Sequence, residues 1–91
     1  GGIVIVNTEK KPDFKVPEGV RLITIDATSI ALKALGLPIT NTTLMGAFAA
    51  ASGEIQFGAL ENALKHRFPG ELAVKNIAAA KTAYDSVKGA A

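Results

Sequence analysis

His66 is the one imidazole in 91 residues, and cysteine is absent. Without thiols there is no disulfide framework, no thiolate nucleophile and no cysteine ligand for zinc or an iron-sulfur cluster. Glu61 and Glu71 are the carboxylates nearest His66 in the sequence. They do not form a metal-ligand spacing with it, so His66 reads as a surface histidine and no metal site is assigned. Ser29, Ser52 and Ser86 fall in helical patterns and outside any nucleophile-elbow sequence, so no catalytic residue is assigned either. Gly53 and Gly58 have the separation of the outer glycines of a phosphate-binding loop, but Ala59 and Leu60 stand where lysine and Ser/Thr are required, and no strand precedes them. A Gly-x-Gly-x-x-Gly turn is also missing. Gly53 therefore reads as a helix terminator.

The most suggestive polar group is Asn41-Thr42-Thr43, at the start of an apolar helical run. An asparagine cap with first-turn amides to spare can take an anion, or a polar group from a cofactor or neighbouring subunit. The alternative is a cap that satisfies only its own backbone. The same three residues match a glycosylation sequon, which carries no weight where no secretion signal is seen.

The elements that must position this group belong to a chain built to bury surface. Hydrophobic residues make up 48% and charged residues 20%, and the mean hydropathy is +0.29; these values exclude a disordered chain. Only 5% is aromatic, so the core must come from small aliphatic side chains and close backbone packing. The net charge of +2 is spread over ten basic and eight acidic residues. Neither Lys10-Lys11 nor Lys65-His66-Arg67 is interleaved with stacking aromatics, which argues against nucleic acid as a partner. The longest apolar stretch, 44–51, is far short of the roughly 20 residues that span a bilayer, so a soluble, cytoplasmic chain is expected.

Residues 3–6 are a β-branched run expected to form a strand covered on both faces, as in parallel sheets. A loop over 9–19, rich in Lys, Pro and Gly, leads to a second strand over 20–25. Two strands alone cannot satisfy their own edges, so other chain or a partner must complete the sheet. Asp26 is placed to cap a helix over 27–35, which Gly36 ends in the left-handed conformation and Pro38 prevents from continuing. A helix over 42–52, begun at Asn41, is apolar on every face and belongs inside. Gly46 and Ala50, one turn apart, allow another backbone to come close. Helices over 57–68 and 71–88 follow, broken by Pro69-Gly70. Phe57, Leu60, Leu64 and Phe68 make the stripe of the first, with His66 opposite; Ala73, Ile77, Ala80, Tyr84 and Val87 make the stripe of the second. The expected class is α/β: part of a layered α/β/α domain with two buried strands and about four helices.

The run Leu37-Pro38-Ile39-Thr40-Asn41-Thr42-Thr43-Leu44-Met45-Gly46-Ala47-Phe48 resembles the P-x-x-N-T-x-x-x-G-A stretch of the gamma subunit of pyruvate:ferredoxin oxidoreductase. The resemblance continues through Ser52-Gly53-Glu54-Ile55, Ala59-Leu60-Glu61-Asn62-Ala63-Leu64, Arg67-Phe68-Pro69-Gly70-Glu71-Leu72-Ala73 and Lys75-Asn76-Ile77. It also takes in Ile25-Asp26-Ala27-Thr28 and Ile30-Ala31. The family's gamma region is about twice this length and opens on a glycine-rich turn without a counterpart here. Residues 1–91, which begin on Gly1-Gly2 and not on methionine, are therefore expected to be its C-terminal half.

The resemblance implies a complex that decarboxylates a 2-oxoacid, pyruvate being favoured. In it, thiamine diphosphate, magnesium and iron-sulfur clusters belong to other chains, coenzyme A takes the acyl group, electrons pass to ferredoxin, and the gamma-type domain packs beside the active site and is linked to coenzyme A access. The partners it implies are the other subunits and the N-terminal half of the domain. No cofactor is expected on this chain, and Asn41 and Thr42 are nominated as cap or interface contacts near the active site. The competing expectation is a small α/β interaction module without an enzymatic role.

Overall fold

The computed structural model describes residues 2–10, 15–37 and 40–90. Strands β1 (Gly2–Asn7) and β2 (Val20–Ile25) pair in parallel, with Gly2 opposite Val20 and Asn7 opposite Ile25. Four helices follow: α1 (Ala27–Leu35), α2 (Asn41–Ser52), α3 (Phe57–Arg67) and α4 (Gly70–Ala90). The chain between the strands is not helical among the described residues, and Lys11, Pro12 and Asp13 of the expected loop lie outside them, as do Gly1 and Pro38.

The passage from strand to helix is stitched by side chains. Asp26 caps α1 as expected: its Oδ1 accepts from Ser29 N at 3.0 Å and its Oδ2 from Ser29 Oγ at 2.6 Å. Asn7, at the end of β1, adds a second clasp. Its Oδ1 accepts from the amides of Ala27 and Thr28 at 2.9 and 3.3 Å, and its Nδ2 donates to Thr28 Oγ1 at 2.9 Å. The first-turn donors that a helix leaves unpaired are thereby used up. At the far end Gly36 is left-handed, φ 75°, and its amide closes onto Leu32 O.

Helix α4, about 31 Å long at 1.5 Å per residue, is the spine against which α1, α2 and α3 pack. Its expected stripe holds: Ala73, Ala80 and Val87 are buried, and Ile77 and Tyr84 are partly buried. Asn76, Ala79 and Ala83 are buried as well, widening the stripe. The core is correspondingly alanine-rich, with Ala47, Ala50, Ala51 and Ala83 around Ile25 and Val87, and Ala49 and Ala80 around Leu60 and Leu64. Small residues let backbones touch. A Cβ on Gly46 would lie 2.7 Å from the carbonyl carbon and 2.8 Å from Cα of Ala80, so α2 and α4 can cross this closely only at glycine.

All this packing is on one side of the sheet. Ile3, Ile5, Ile23 and Ile25 face the helical core, and strand alternation turns Val4, Val6, Val20 and Leu22 the other way. Cover for that second face, expected of these β-branched runs, is not supplied by the described residues, and Val4 is 37% exposed. Helix α2 likewise departs from a fully buried helix: Met45 and Phe48 are 49% and 44% exposed.

Candidate functional site

The first two turns of α2 form a ridge between two hollows, because Asn41 and Met45 line both. On one side lies a cleft of about 550 Å³ between the start of α2, the end of α3 and the start of α4. Leu35, Met45, Phe68 and Leu72 make its apolar wall, and Asn41, Thr42, Arg67 and Asn76 bring polar groups to it. On the other side an apolar groove of about 320 Å³ is lined by Ile5, Leu44, Phe48, Ile55 and Leu60.

Asn41 is not the cap that the sequence suggests. The cap position is Thr40, at φ −101° and ψ −3°, and it makes no side-chain cap hydrogen bond. Asn41 is the first helical residue and is exposed, whereas Thr42 is buried at 6% exposure. The Leu44 amide donates to Thr40 O at 2.9 Å, and among the described residues no side chain caps this end of α2, which carries the partial positive charge of a helix start. Still in the first turn, Thr43 is fully buried and its Oγ1 has no partner among the described residues.

Arg67 and Asn76 complete the cleft. The Arg67 guanidinium stands 5.7 Å from the centroid of the Phe68 ring and makes no salt bridge among the described residues. Asn76, 6% exposed, donates from Nδ2 to Leu72 O at 2.9 Å, which fixes its amide against α4. Sequence reading counts Arg67 in a basic group, names it and Asn76 in the runs that carry the resemblance without a site role for either, and leaves Asn76 out of the α4 stripe. The usable signal was an asparagine three residues after Ala73 and four before Ala80, a buried-face position that should be apolar. Chemically the cleft is a binding surface: a permanent cation, two amides, a hydroxyl and a helix start above apolar walls suit a ligand with an anionic head and an apolar body.

The remaining candidates stay apart from this cleft. His66 is exposed on α3 with Nδ1 2.8 Å from Asn62 O. Ser29, Ser52 and Ser86 lie in α1, α2 and α4, and Gly53 is the left-handed terminator of α2 at φ 69°. The hydrogen bonds from the Ser29 hydroxyl and amide hold the Asp26 carboxyl below the ordinary carboxylate value. Among the described residues no group of three or more His, Cys, Asp or Glu side chains converges as a metal site, and no helix is long and apolar enough to cross a membrane.

The model of the family described as pyruvate ferredoxin/flavodoxin oxidoreductase matches residues 1–86. The pyruvate/ketoisovalerate oxidoreductases common subunit gamma of Pyrococcus furiosus is 48% identical over 93 residues, covering 96% of this chain and 49% of that protein. Pyruvate synthase subunit PorC of Methanothermobacter thermautotrophicus is 42% identical over 87 residues, covering 96% and 47%. Among solved structures, pyruvate oxidoreductase subunit PORC of Thermotoga maritima superposes with a TM-score of 0.80 at 31% identity, covering 91% of this chain and 49% of that one. The chain thus spans about half the length of the curated relatives it matches.

Proposed function

The chain belongs to the pyruvate ferredoxin/flavodoxin oxidoreductase family, and from that premise we propose that it serves as a gamma-type, noncatalytic part of a 2-oxoacid:ferredoxin oxidoreductase complex. The resemblance read from the sequence supports this reading, as do the family match and the relatives named as subunit gamma and PorC. In such a complex, thiamine diphosphate with magnesium supplies the carbanion-stabilising chemistry of decarboxylation, iron-sulfur clusters the electron path, and coenzyme A the acyl acceptor. The residues here do not fit the first three groups: cysteine is absent from the chain, and so is the Gly-Asp-Gly with a following Asn pair that would hold the diphosphate and magnesium. Those groups belong, in this reading, to other subunits.

The observation that carries the role of this chain is the cleft at the start of α2. Its Asn41, Thr42, Arg67 and Asn76 provide hydrogen bonding and positive charge above an apolar floor, with no carboxylate, imidazole or thiol among its described lining residues. Such a surface holds and orients. It suits the place where the gamma-type domain meets the active-site subunits and where an anionic acyl acceptor passes, with Asn41 and Thr42 as the contact residues. Pyruvate is the favoured 2-oxoacid, and ferredoxin is reached only through the other chains.

Co-purification tests this reading. The tagged protein, recovered from its native cell, should bring with it a complex containing thiamine diphosphate and iron-sulfur clusters that reduces ferredoxin when given a 2-oxoacid and coenzyme A. Recovery of a stable, cofactor-free monomer would overturn it in favour of a small interaction module.

A further inference from the structure

The cleft at the start of α2 brings together polar groups that the described residues leave unpaired. Arg67 carries a permanent cation and forms no salt bridge among those residues. The nearest acid along the chain, Glu71, stands 3.9 Å from Lys75 instead, and no carboxylate is among the described lining residues. Asn76 and Thr42 are each only 6% exposed, yet both line the cleft. Because Asn76 Nδ2 donates to Leu72 O, the acceptor Oδ1 is the end of its amide left for a ligand. Neither that oxygen nor the Thr42 hydroxyl has a partner among the described residues, although polar groups buried to this degree are ordinarily hydrogen-bonded.

These groups select among ligands. One guanidinium fork matches a single carboxylate through two parallel hydrogen bonds, and the Asn76 acceptor matches an N–H. A polyphosphate fits poorly, because no lysine lines the cleft to balance further charge and Asn76 Oδ1 has no proton to donate to a phosphate oxygen. A carboxylate and an N–H carried on an apolar body describe a stretch of polypeptide. Leu37, Met45 and Leu72 line the same cleft and are 54%, 49% and 45% exposed. Chain laid across the cleft covers them, whereas a small molecule seated within it leaves them in water. The position also faces away from the sheet. Ser86 and Val87, which line the hollow beside β2, lie about 15 Å further along α4 than Asn76.

We propose that the cleft seats an acidic, apolar segment of another subunit: an Asp or Glu carboxylate on Arg67, a main-chain N–H of the same segment on Asn76 Oδ1, and a neighbouring apolar side chain against Phe68 and Leu72. This rests on the gamma-type reading above and deepens it by naming the chemistry of the partner. The acyl acceptor is then confined to the exposed Asn41 side of the α2 ridge.

The test recovers the assembled complex from the native cell through a tag on this protein. Arg67→Lys keeps the charge and presents a primary amine. A carbodiimide, which activates carboxylates, should therefore join position 67 to an Asp or Glu of another subunit, identified by mass spectrometry of the linked peptides. Arg67→Ala should lower recovery of that subunit by roughly tenfold or more, as loss of one partner of a hydrogen-bonded charge pair does. Val74→Glu, at an α4 position 65% exposed, should leave recovery unchanged. If circular dichroism shows that Arg67→Ala misfolds, the Arg67→Lys cross-link decides alone, and its failure to reach another subunit overturns the proposal. A link from position 67 that stays within this protein's own chain overturns it as well. If Arg67→Ala leaves recovery undiminished and raises KM for coenzyme A instead, the cleft holds the acyl acceptor, and the proposal fails while the gamma-type reading stands. If the unsubstituted protein brings down no other subunit, that reading fails together with the proposal.

Discussion

Replacing Gly46 by alanine should destabilise the protein, although the same change in most helices does the opposite. The new Cβ would lie 2.7 and 2.8 Å from two backbone atoms of Ala80, whereas carbon atoms pack at about 3.5–4.0 Å. The axes of α2 and α4 must therefore separate by roughly 1 Å along the main helix contact of the molecule. No side-chain rotation relieves the clash, because Ala80 meets Gly46 with its main chain. Overpacking of this kind costs about 1–3 kcal/mol, and replacing glycine returns about 1 kcal/mol of helix propensity. The net loss should reach up to about 2 kcal/mol, which at 1.4 kcal/mol per tenfold is a shift of up to roughly 30-fold toward the unfolded state. Gly58→Ala is the matched control: a Cβ there meets nothing within 4 Å, so stability should rise by up to about 1 kcal/mol. Urea denaturation followed by helical circular dichroism measures both. A Gly46→Ala protein as stable as Gly58→Ala would refute the close helix crossing.

Thr43→Val removes a buried hydroxyl that has no partner among the described residues and should stabilise by about 1 kcal/mol; a loss of that size in the same denaturation experiment would mean the hydroxyl is bonded. Asn41→Ala should change stability by no more than about 0.5 kcal/mol, because no side-chain cap bond is lost, yet lower coenzyme A-dependent turnover of the assembled complex. A loss of about 1 kcal/mol with unchanged turnover would restore the capping role. Asn7→Ala unlinks three hydrogen bonds between β1 and α1 and should cost about 1–3 kcal/mol, with the Ala27 and Thr28 amides losing hydrogen-exchange protection first. The Asp26 carboxyl titrates below its ordinary value because Ser29 donates to its ionised form. Its contribution is therefore complete above the unfolded value and lost as pH falls through the lowered folded one. Carbon-13 NMR should show this displacement, and Ser29→Ala should move the titration back up.

Much of the fold was legible because its signals are local. Gly36 and Gly53 end helices where a left-handed residue is needed, and the carboxylate of Asp26 reaches an amide three residues on. The strands begin and end within a residue of the β-branched runs. Each of these depends on a few neighbouring residues and their backbone angles. The α4 stripe was legible only in part: Ala79 and Ala83 are too weakly apolar to stand out in a periodicity, and they are buried because Gly46 and the alanines of α2 bring the helices together. Thr40 took the cap position from Asn41 because the helix starts one residue earlier than the apolar run suggests.

The amino-acid sequence alone determined the order of elements, their ends, and the exclusion of thiol and cluster chemistry, since these follow from residue identity and short-range geometry. It also determined that Asn41 and Thr42 begin an unusually apolar helix. Only the tertiary structure decided that Arg67 and Asn76 join them in one cleft, and that Phe48 stays uncovered beside an apolar groove that it shares with Ile5. Those facts depend on how α2, α3 and α4 cross. The crossing is set by side-chain volumes from distant parts of the chain meeting at once, and no local pattern in the sequence encodes it.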